Sequence, residues 1–329
     1  MLKRIGFILA LVISWMGITG ATSIDQAELN RFIDSMVQQH AFKGSELHSL
    51  FQQARLSPEV LQAISRPAES RPWYRYRPIY LTKERVAGGV GFWSANAETL
   101  SSTEATYGVA PQIVVAIIGV ETRYGANNGK YRVMDSLTTL AFNYPERSAF
   151  FRGELEHYLL LVREQRIEPL SLKGSYAGAM GLPQFISSSY RRYAVDYDGD
   201  GISDIWNNPT DAIASVANYL SAHGWQADKA VALPATVTGE RHQEFIELGL
   251  KPQIKLAQVN DYGIQLEGDA PDDALGSLVV LETETGQEYW VGLTNFYVIT
   301  RYNHSALYAM AIYQLSEEIR LQYEAQFKD

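Results

Sequence analysis

The segment that begins at Pro111 limits the possible folds of this chain more than any other part of the sequence. Residues 113–120 are IVVAIIGV, and a proline inside the start together with Gly125 past the end predicts a helix between them. Because this helix is apolar almost all round, we expect it to be buried. A chain of 329 residues that is 46% hydrophobic can supply the core that this requires, in two or three sub-domains.

Glu121 follows this apolar run and is the first candidate for catalysis. It falls in the last turn of the predicted helix, where the negative end of the helix dipole disfavours a carboxylate. Burial also disfavours the charged form, so both effects would raise the pKa of Glu121. A carboxylic acid that is protonated near neutral pH suits a general acid at a glycosidic oxygen. The alternative is a structural glutamate paired with Arg123 or Arg147.

The composition excludes several other kinds of chemistry. The chain has no cysteine, which excludes disulfides, thiolate metal sites, iron–sulfur clusters and a cysteine nucleophile. The formal net charge of −9 argues against a nucleic-acid partner. The sequence also lacks the zincin pair, the Gly-x-Ser-x-Gly elbow and the Walker loop. We therefore expect no organic cofactor.

Residues 1–23 have the three-part pattern of a secretory signal peptide. Lys3 and Arg4 precede an apolar run from Ile5 to Ile18, and small residues follow it. The run is shorter than the roughly 20 residues that span a bilayer, so we expect an exported protein without stable membrane insertion after cleavage. The alternative is an uncleaved leader that holds the protein at the membrane.

The remaining sequence predicts a mainly α (α+β) protein with a small strand-rich insert at 230–293. Prolines 67, 72 and 78 indicate an extended stretch that contains Trp73 and Tyr76. The hydrophobic periodicity predicts helices within 26–64, 84–107, 136–165 and 305–326, and strands at 254–259, 277–284 and 288–293.

Two further segments carry candidate functional residues. Residues 174–185 place three glycines among small residues, where the backbone can approach a ligand closely and Ser175 and Gln184 can contact a sugar. The alternative is a tight helix crossing. Residues 196–204 match the D-x-D-x-D-G pattern of a calcium loop, although Asn207 replaces the usual closing glutamate. Asp211 or Asp204 could complete the site, and the alternative is an acidic turn without metal.

Three ordered motifs resemble the lytic murein transglycosylase B family of bacterial cell-wall enzymes. They are Glu121-Thr-Arg-Tyr-Gly, Gly174-Ser-Tyr-Ala-Gly-Ala-Met-Gly and Tyr193-Ala-Val-Asp-x-Asp-Gly-Asp-Gly. The resemblance covers most of the chain after the leader. It implies a helical domain at 24–100 that packs with 309–329, a lysozyme-like core at 101–229 completed by 294–308, and a small β domain at 230–293.

The resemblance also implies an activity. Glu121 would cleave the β-1,4 bond between N-acetylmuramic acid and N-acetylglucosamine in peptidoglycan, acting as acid and then as base to form a 1,6-anhydro sugar. The alternatives are a muramidase that hydrolyses the same bond and a non-catalytic peptidoglycan-binding protein. No second carboxylate motif stands out near Glu121, whereas ordinary glycosidases need a carboxylate pair.

The resemblance assigns further residues and a location. It implies glycan strands as the partner, a place in the periplasm, and a structural Ca²⁺. Nothing in the sequence indicates oligomerisation, so we expect a monomer. Because there is no cysteine, the protein should be soluble or held by its leader rather than lipid-anchored. The implied substrate-binding residues are Tyr76, Arg147, Ser175, Gln184, Tyr219, Tyr302, Asn303 and Tyr308. The implied calcium ligands are Asp196, Asp198, Asp200, the Ile202 carbonyl and Asp211.

Overall fold

A computed structural model describes residues 23–66 and 71–326, so residues 1–22 of the predicted leader lie outside the described part. The fold is mainly α (α+β), as predicted. The helices are α1 Gln26–His40, α2 Gly44–Gln53, α3 Pro58–Ile64, α4 Trp73–Tyr80, α5 Lys83–Ala95, α6 Ala97–Tyr107, α7 Pro111–Thr122, α8 Val133–Asn143, α9 Ser148–Glu164, α10 Ser187–Tyr193, α11 Pro209–Ala222, α12 His242–Glu247, α13 Thr294–Tyr302 and α14 Ala306–Gln326. The strands are β1 Tyr131–Arg132, β2 Lys173–Gly174, β3 Ala232–Val237, β4 Ile254–Lys255, β5 Ile264–Leu266, β6 Leu275–Glu282 and β7 Gln287–Gly292.

Helix α7 lies at the centre of the main core, which confirms the prediction from its apolar sequence. Pro111 is its first residue, and every residue from Ile113 to Gly119 is buried. Helices α5, α6, α11 and α14 pack around it. The helix ends at Thr122 and is capped by Arg123, which takes the left-handed conformation with φ of 51°. The backbone N–H of Arg123 donates to carbonyls of the last turn. This cap turns the chain sharply and leaves Glu121 in the final turn.

The prediction of an extended stretch is wrong around Trp73, because Trp73–Tyr80 form helix α4. Pro67, the first proline of that stretch, lies outside the described residues. Pro72 precedes the first turn, where a missing N–H costs nothing, and Pro78 lies near the end of the helix. Trp73 and Tyr76 lie one turn apart and are both buried. The burial of these two aromatic side chains outweighs the single backbone hydrogen bond that Pro78 cannot donate.

The C-terminal half contains an antiparallel five-stranded sheet in the order β4-β6-β7-β3-β5. Strands β6 and β7 form the predicted hairpin, with Glu282 paired to Gln287. The strand predicted at 254–259 is limited to Ile254–Lys255, and a 3-10 helix covers Leu256–Tyr262. Leu256 and Val259 are both buried, and a 3-10 turn places residues at this spacing of three on one side. A second hydrophobic cluster lies within this region, separate from the main core.

Helices α13 and α14 return the chain to the main core. Helix α14 packs on α4, α5, α7 and α13 and carries Tyr308 in its first turns. Within the described residues no single helix is both long and apolar enough to cross a bilayer, although the bent pair Ala97–Tyr107 and Pro111–Thr122 meets the length and composition criteria together.

Candidate active site

Glu121 lies at the end of α7 and meets helix α14 through Tyr308. The hydroxyl of Tyr308 donates a 2.6 Å hydrogen bond to Oε1 of Glu121. Burial raises the pKa of Glu121 to about 7, and the hydrogen bond from Tyr308 opposes this rise in part. The side chain of Glu121 still keeps a fraction of its surface accessible to solvent. The site therefore combines a desolvated carboxyl with access for a ligand.

The structural alternative for Glu121 is not observed. Among the described residues, no ion pair within 4.0 Å involves Glu121, so neither Arg123 nor Arg147 neutralises it. The guanidinium of Arg147 instead lies over the ring of Phe150, 4.3 Å from its centroid. A carboxyl that is desolvated and lacks a cationic partner retains its proton near neutral pH.

Aromatic side chains form the surroundings of this carboxyl. The rings of Tyr302 and Tyr308 are parallel, with centroids 6.5 Å apart, and Tyr219 meets Tyr302 edge-on at 4.8 Å. The Tyr219 hydroxyl donates to the backbone oxygen of Arg301. Burial, and next the charge of Glu121, raise the pKa of both Tyr302 and Tyr308. Both phenols therefore stay neutral and can donate hydrogen bonds.

Tyr76 belongs to the same aromatic group. It is buried on α4, stacks on Trp73 at 6.3 Å between centroids, and meets Tyr80 at 5.1 Å. It lies near enough to Tyr308 to raise the pKa of that phenol by a small electrostatic effect. Asn303 follows helix α13 in extended backbone and is partly exposed. Tyr302 and Tyr308 thus lie close to the Glu121 carboxyl and Tyr76 lies near Tyr308, although each is wholly or partly buried.

The glycine-rich segment is a tight loop, so the predicted alternative of a helix crossing is not observed. Short antiparallel bridges join Gly174 to Met180 and Met180 to Phe185. The Ser175 hydroxyl accepts hydrogen bonds from the backbone N–H groups of Ala177 and Ala179. At Gly174 an added Cβ would lie 2.2 Å from the Ala179 carbonyl oxygen, so only glycine allows this approach.

Two hydrogen bonds fix this loop beside Glu121. Thr122, which is fully buried, donates from Oγ1 to the carbonyl oxygen of Leu182 at 3.1 Å. The hydroxyl of Tyr302 donates to the carbonyl oxygen of Pro183 at 2.6 Å. Gln184 follows in the left-handed conformation, with φ of 50°, and its side chain donates to Gly181. Thr122 is not among the residues predicted from the sequence, where its place next to Glu121 is the only signal of this role.

A cavity of about 760 Å³ lies between α4, the β6–β7 hairpin and α14. Trp73, Trp290 and Tyr313 are among its lining residues, and Glu121 is not. The cavity therefore adjoins the aromatic group, because Trp73 lines it and stacks on Tyr76, but it does not include the Glu121 carboxyl.

The acidic loop brings together three of the five predicted calcium ligands. Carboxylate oxygens of Asp196, Asp198 and Asp211 all lie within 4.8 Å of one another. Asp211 is fully buried at the start of α11. Burial raises its pKa, hydrogen bonds from the backbone N–H groups of Tyr197 and Asp204 oppose this rise in part, and the charges of Asp198 and Asp196 add to it. Such a group of converging carboxylates suits a hard cation with oxygen ligands.

The other members of the loop have different roles. The carboxylate of Asp200 accepts from the backbone N–H of Ile202, and the Ile202 side chain is exposed. Asp204 accepts from the backbone N–H groups of Trp206 and Asn207 and lies outside the carboxylate group. Of the two candidates for completing the site, the geometry favours Asp211 over Asp204.

The fold and the site define a lysozyme-like enzyme. The chain belongs to the transglycosylase SLT domain family, whose model matches residues 25–317. Membrane-bound lytic murein transglycosylase B of Escherichia coli (strain K12) is 42% identical over 312 residues, which cover 92% of this chain and 85% of that protein.

Solved structures agree with this membership. The catenated lytic transglycosylase SltB1 from Pseudomonas aeruginosa matches with a TM-score of 0.87 at 48% identity, covering 91% of this chain and 99% of that one. The Escherichia coli lytic transglycosylase Slt35 in complex with calcium matches with a TM-score of 0.82 at 43% identity, covering 90% of this chain and 93% of that one.

Proposed function

We propose that this protein is a peptidoglycan lytic transglycosylase. It cleaves the β-1,4 bond between N-acetylmuramic acid and N-acetylglucosamine and forms a 1,6-anhydromuramic acid end. The name of the relative, a lytic murein transglycosylase, and membership of the transglycosylase family support this proposal. The observation that carries it is the Glu121 carboxyl, which is desolvated, has a pKa of about 7, and is hydrogen-bonded to Tyr308.

Glu121 acts first as the acid and then as the base in this proposal. The protonated carboxyl donates its proton to the leaving oxygen of N-acetylglucosamine while the bond from that oxygen to C1 of the muramic sugar breaks. The resulting carboxylate then takes the proton of the muramic 6-hydroxyl, whose oxygen bonds to C1. A pKa of about 7 supports both roles, because neither protonation state is strongly disfavoured at neutral pH.

The aromatic and polar side chains around Glu121 hold the glycan in this proposal. Tyr308 keeps the carboxyl in one orientation, and Tyr302 fixes the glycine-rich loop through Pro183. The exposed parts of the aromatic rings can pack on apolar sugar faces. The remaining proposed contacts come from Tyr76, Arg147, Ser175, Gln184, Tyr219 and Asn303.

A divalent cation in the acidic loop is the second part of the proposal. Asp196, Asp198 and Asp211 would hold Ca²⁺, with Asp200 and the Ile202 carbonyl as further oxygen donors. The fit is supported by the buried Asp211 carboxylate, whose pKa is raised by burial and further by the neighbouring acids, and by the calcium complex of Slt35. The cation would offset the repulsion between these carboxylates and link the loop to α11.

The proposed substrate also indicates a location. Peptidoglycan lies in the cell envelope, and the Escherichia coli relative is a membrane-bound murein enzyme. We therefore place this enzyme in the periplasm, with its leader either removed or retained as an anchor. The Glu121 site is built from residues of one chain, so the proposed reaction does not require a second copy.

Digestion of purified peptidoglycan followed by mass analysis of the products tests the proposal. We expect anhydro ends from the native protein, and none from Glu121→Gln, which still binds the polymer. Glu146→Gln, at an exposed glutamate, is the matched control and should digest normally. Hydrated reducing ends would show a muramidase instead. Undiminished cleavage by Glu121→Gln would show that another group is the catalyst.

A further inference from the structure

A second pocket, of about 410 Å³, lies behind the turn that follows Glu121. It is lined by Arg85 and Arg123, and Glu121 is not among its lining residues. Ile79 and Gly88 form apolar parts of the wall, and the N-terminal turn of α5 contributes Thr82. The pocket is therefore distinct from the site of the proposed reaction, although Arg123 lies only two residues after Glu121.

Arg85 is a buried cation without a partner. Its side chain is more than nine-tenths buried, with a relative exposure of 8%, and it lines the pocket. Among the described residues, no hydrogen bond or ion pair reaches its guanidinium, and Nη1 is fully inaccessible to solvent. Among the described residues, the ring of Tyr80 lies 5.2 Å away, and Tyr124 and Tyr80 both favour its charged form. A charged group in this state leaves its donors unpaired, which is costly unless a ligand supplies an acceptor.

Arg123 adds a second positive charge at the same place. It is exposed, and no described carboxylate lies within 4.0 Å of it. Burial, and next the charge of Arg123, lower the pKa of Arg85, so the two guanidiniums repel each other. Glu84 also lines the pocket, but its carboxylate is directed to its own backbone N–H and to Thr82. Within the part of the chain that the structure describes, neither arginine therefore forms an ion pair with a carboxylate.

Tyr124 holds together the backbone segments that carry these two arginines. Its hydroxyl donates to the backbone oxygen of Arg85 at 2.8 Å, and its ring stacks on Phe92. An added Cβ at Gly88 would lie 2.8 Å from the Tyr124 ring, and one at Gly119 would lie 2.5 Å from the hydroxyl. Glycine at both positions thus gives Tyr124 its space. The start of α5 is held against the end of α7, and with them both arginines.

We propose that this pocket binds an organic oxyanion, a carboxylate or a phosphate ester, through Arg85 and Arg123. The guanidiniums supply planar donors suited to either group, and the N-terminus of the 13-residue helix α5 adds partial positive charge. The apolar wall from Ile79 and Gly88 suits the carbon body that carries the anion. Binding supplies an acceptor to the Arg85 guanidinium, which lines the pocket, and offsets the repulsion between the two arginines.

Calorimetric titration of the full protein with three probes tests the proposal. The probes are acetyl-alanyl-alanine, the same dipeptide as its C-terminal amide, and inorganic phosphate, all at constant ionic strength. We expect the acid or phosphate to bind and the amide not to bind. Tighter binding of the acid would identify a carboxylate as the ligand, and tighter binding of phosphate would identify a phosphate ester.

Variants of Arg123 test whether the arginines of this pocket bind the anion. Arg123→Gln should weaken binding about tenfold or more, whereas Arg123→Lys, which keeps the charge, should lose less. Arg55→Gln changes an exposed arginine elsewhere and should bind as the native protein does. Melting curves confirm that each variant is folded. Binding of neither anion, equal binding of the amide, or unchanged affinity in Arg123→Gln would overturn the proposal.

Discussion

The phenol of Tyr308 and the carboxyl of Glu121 form a 2.6 Å hydrogen bond between two helices that are far apart in the sequence. Tyr308 is almost fully buried, so its position is set by the packing of α14 on α7 rather than by solvent. The bond orients one oxygen of Glu121 and leaves the other available. It also partly opposes the rise in the pKa of Glu121 that burial causes.

Tyr308→Phe should therefore move the pH profile of the enzyme. Loss of the hydrogen bond leaves the effect of burial unopposed, so the pKa of Glu121 should rise above about 7. The alkaline limb of kcat/KM, where the acid loses its proton, should shift to higher pH, and the maximal rate should fall by up to about tenfold. Peptidoglycan digestion over a range of pH measures both effects.

A matched tyrosine separates this effect from general packing. Tyr313→Phe removes a hydroxyl on the same helix that bonds the backbone oxygen of Ala232 instead. Its pH profile should match that of the native protein. An alkaline limb in Tyr308→Phe that stays in place, or that moves to lower pH, would contradict the assigned role.

Glu121 should also reduce the stability of the fold at neutral and alkaline pH. Because its pKa rises from 4.5 to about 7 on folding, the folded state keeps a proton that the unfolded chain releases. Stability therefore falls as the pH rises through this window, by up to about 3 kcal/mol. Glu121→Gln, which keeps an oxygen for Tyr308, should be more stable than the native protein at pH 8.

Denaturant unfolding at two pH values checks this difference. At pH 4, where Glu121 is mostly protonated in both states, the stability advantage of Glu121→Gln should almost vanish. Glu146→Gln should show no comparable dependence, since Glu146 is exposed. An advantage of equal size at both pH values would indicate better packing of the amide rather than relief of a desolvated charge.

The sequence predicted the parts of the site that depend on local patterns. The apolar run before Glu121 and the position of this residue in the last helical turn are local, and they indicated a buried acid with a raised pKa. The partner of that acid could not be predicted in this way. Tyr308 lies 187 residues away, and only the packing of α14 on α7 brings the two together.

The same distinction between local patterns and long-range packing explains which predictions were wrong or left open. Around Pro72 the local signal favoured an extended chain, but burial of Trp73 and Tyr76 stabilises a helix there. The spacing of the acidic loop predicted a cation site, yet whether Asp204 or Asp211 completes it depends on where α11 begins. Repulsion between like charges in one loop is a local effect, whereas the burial of Asp211 is not.

Calcium should stabilise the protein through Asp211. We expect chelation to lower Tm, and calcium at about 100 times its Kd to restore it by roughly 5 °C or more. Asp211→Asn should lose most of this response, because the buried carboxylate no longer meets Asp196 and Asp198. Asp204→Asn keeps a side-chain oxygen that can accept from the backbone N–H groups of Trp206 and Asn207, so it should keep the response. Equal responses in the two variants would reject the assignment of Asp211.

Gly181 should be irreplaceable in the glycine-rich loop, unlike Gly91 in α5. Gly181 has φ of +67°, and an added Cβ would lie 2.6 Å from the backbone oxygen of Ile205, so Gly181→Ala combines strain with a clash. We expect a loss of about 2 kcal/mol or more in the free energy of unfolding. Activity should fall with it, since Leu182 and Pro183 in the same loop bond to Thr122 and Tyr302.

Gly91→Ala provides the contrast, because nothing lies within 4 Å of an added Cβ there. This position is inside a helix and exposed, so the substitution should stabilise the protein by about 0.5–1 kcal/mol through the helix propensity of alanine. Urea unfolding of both variants measures the expected opposite changes in the free energy of unfolding, and digestion assays measure the activity. If Gly181→Ala is as stable and active as Gly91→Ala, the loop is free to move, and the close approach of Gly181 to Ile205 does not position the residues beside Glu121.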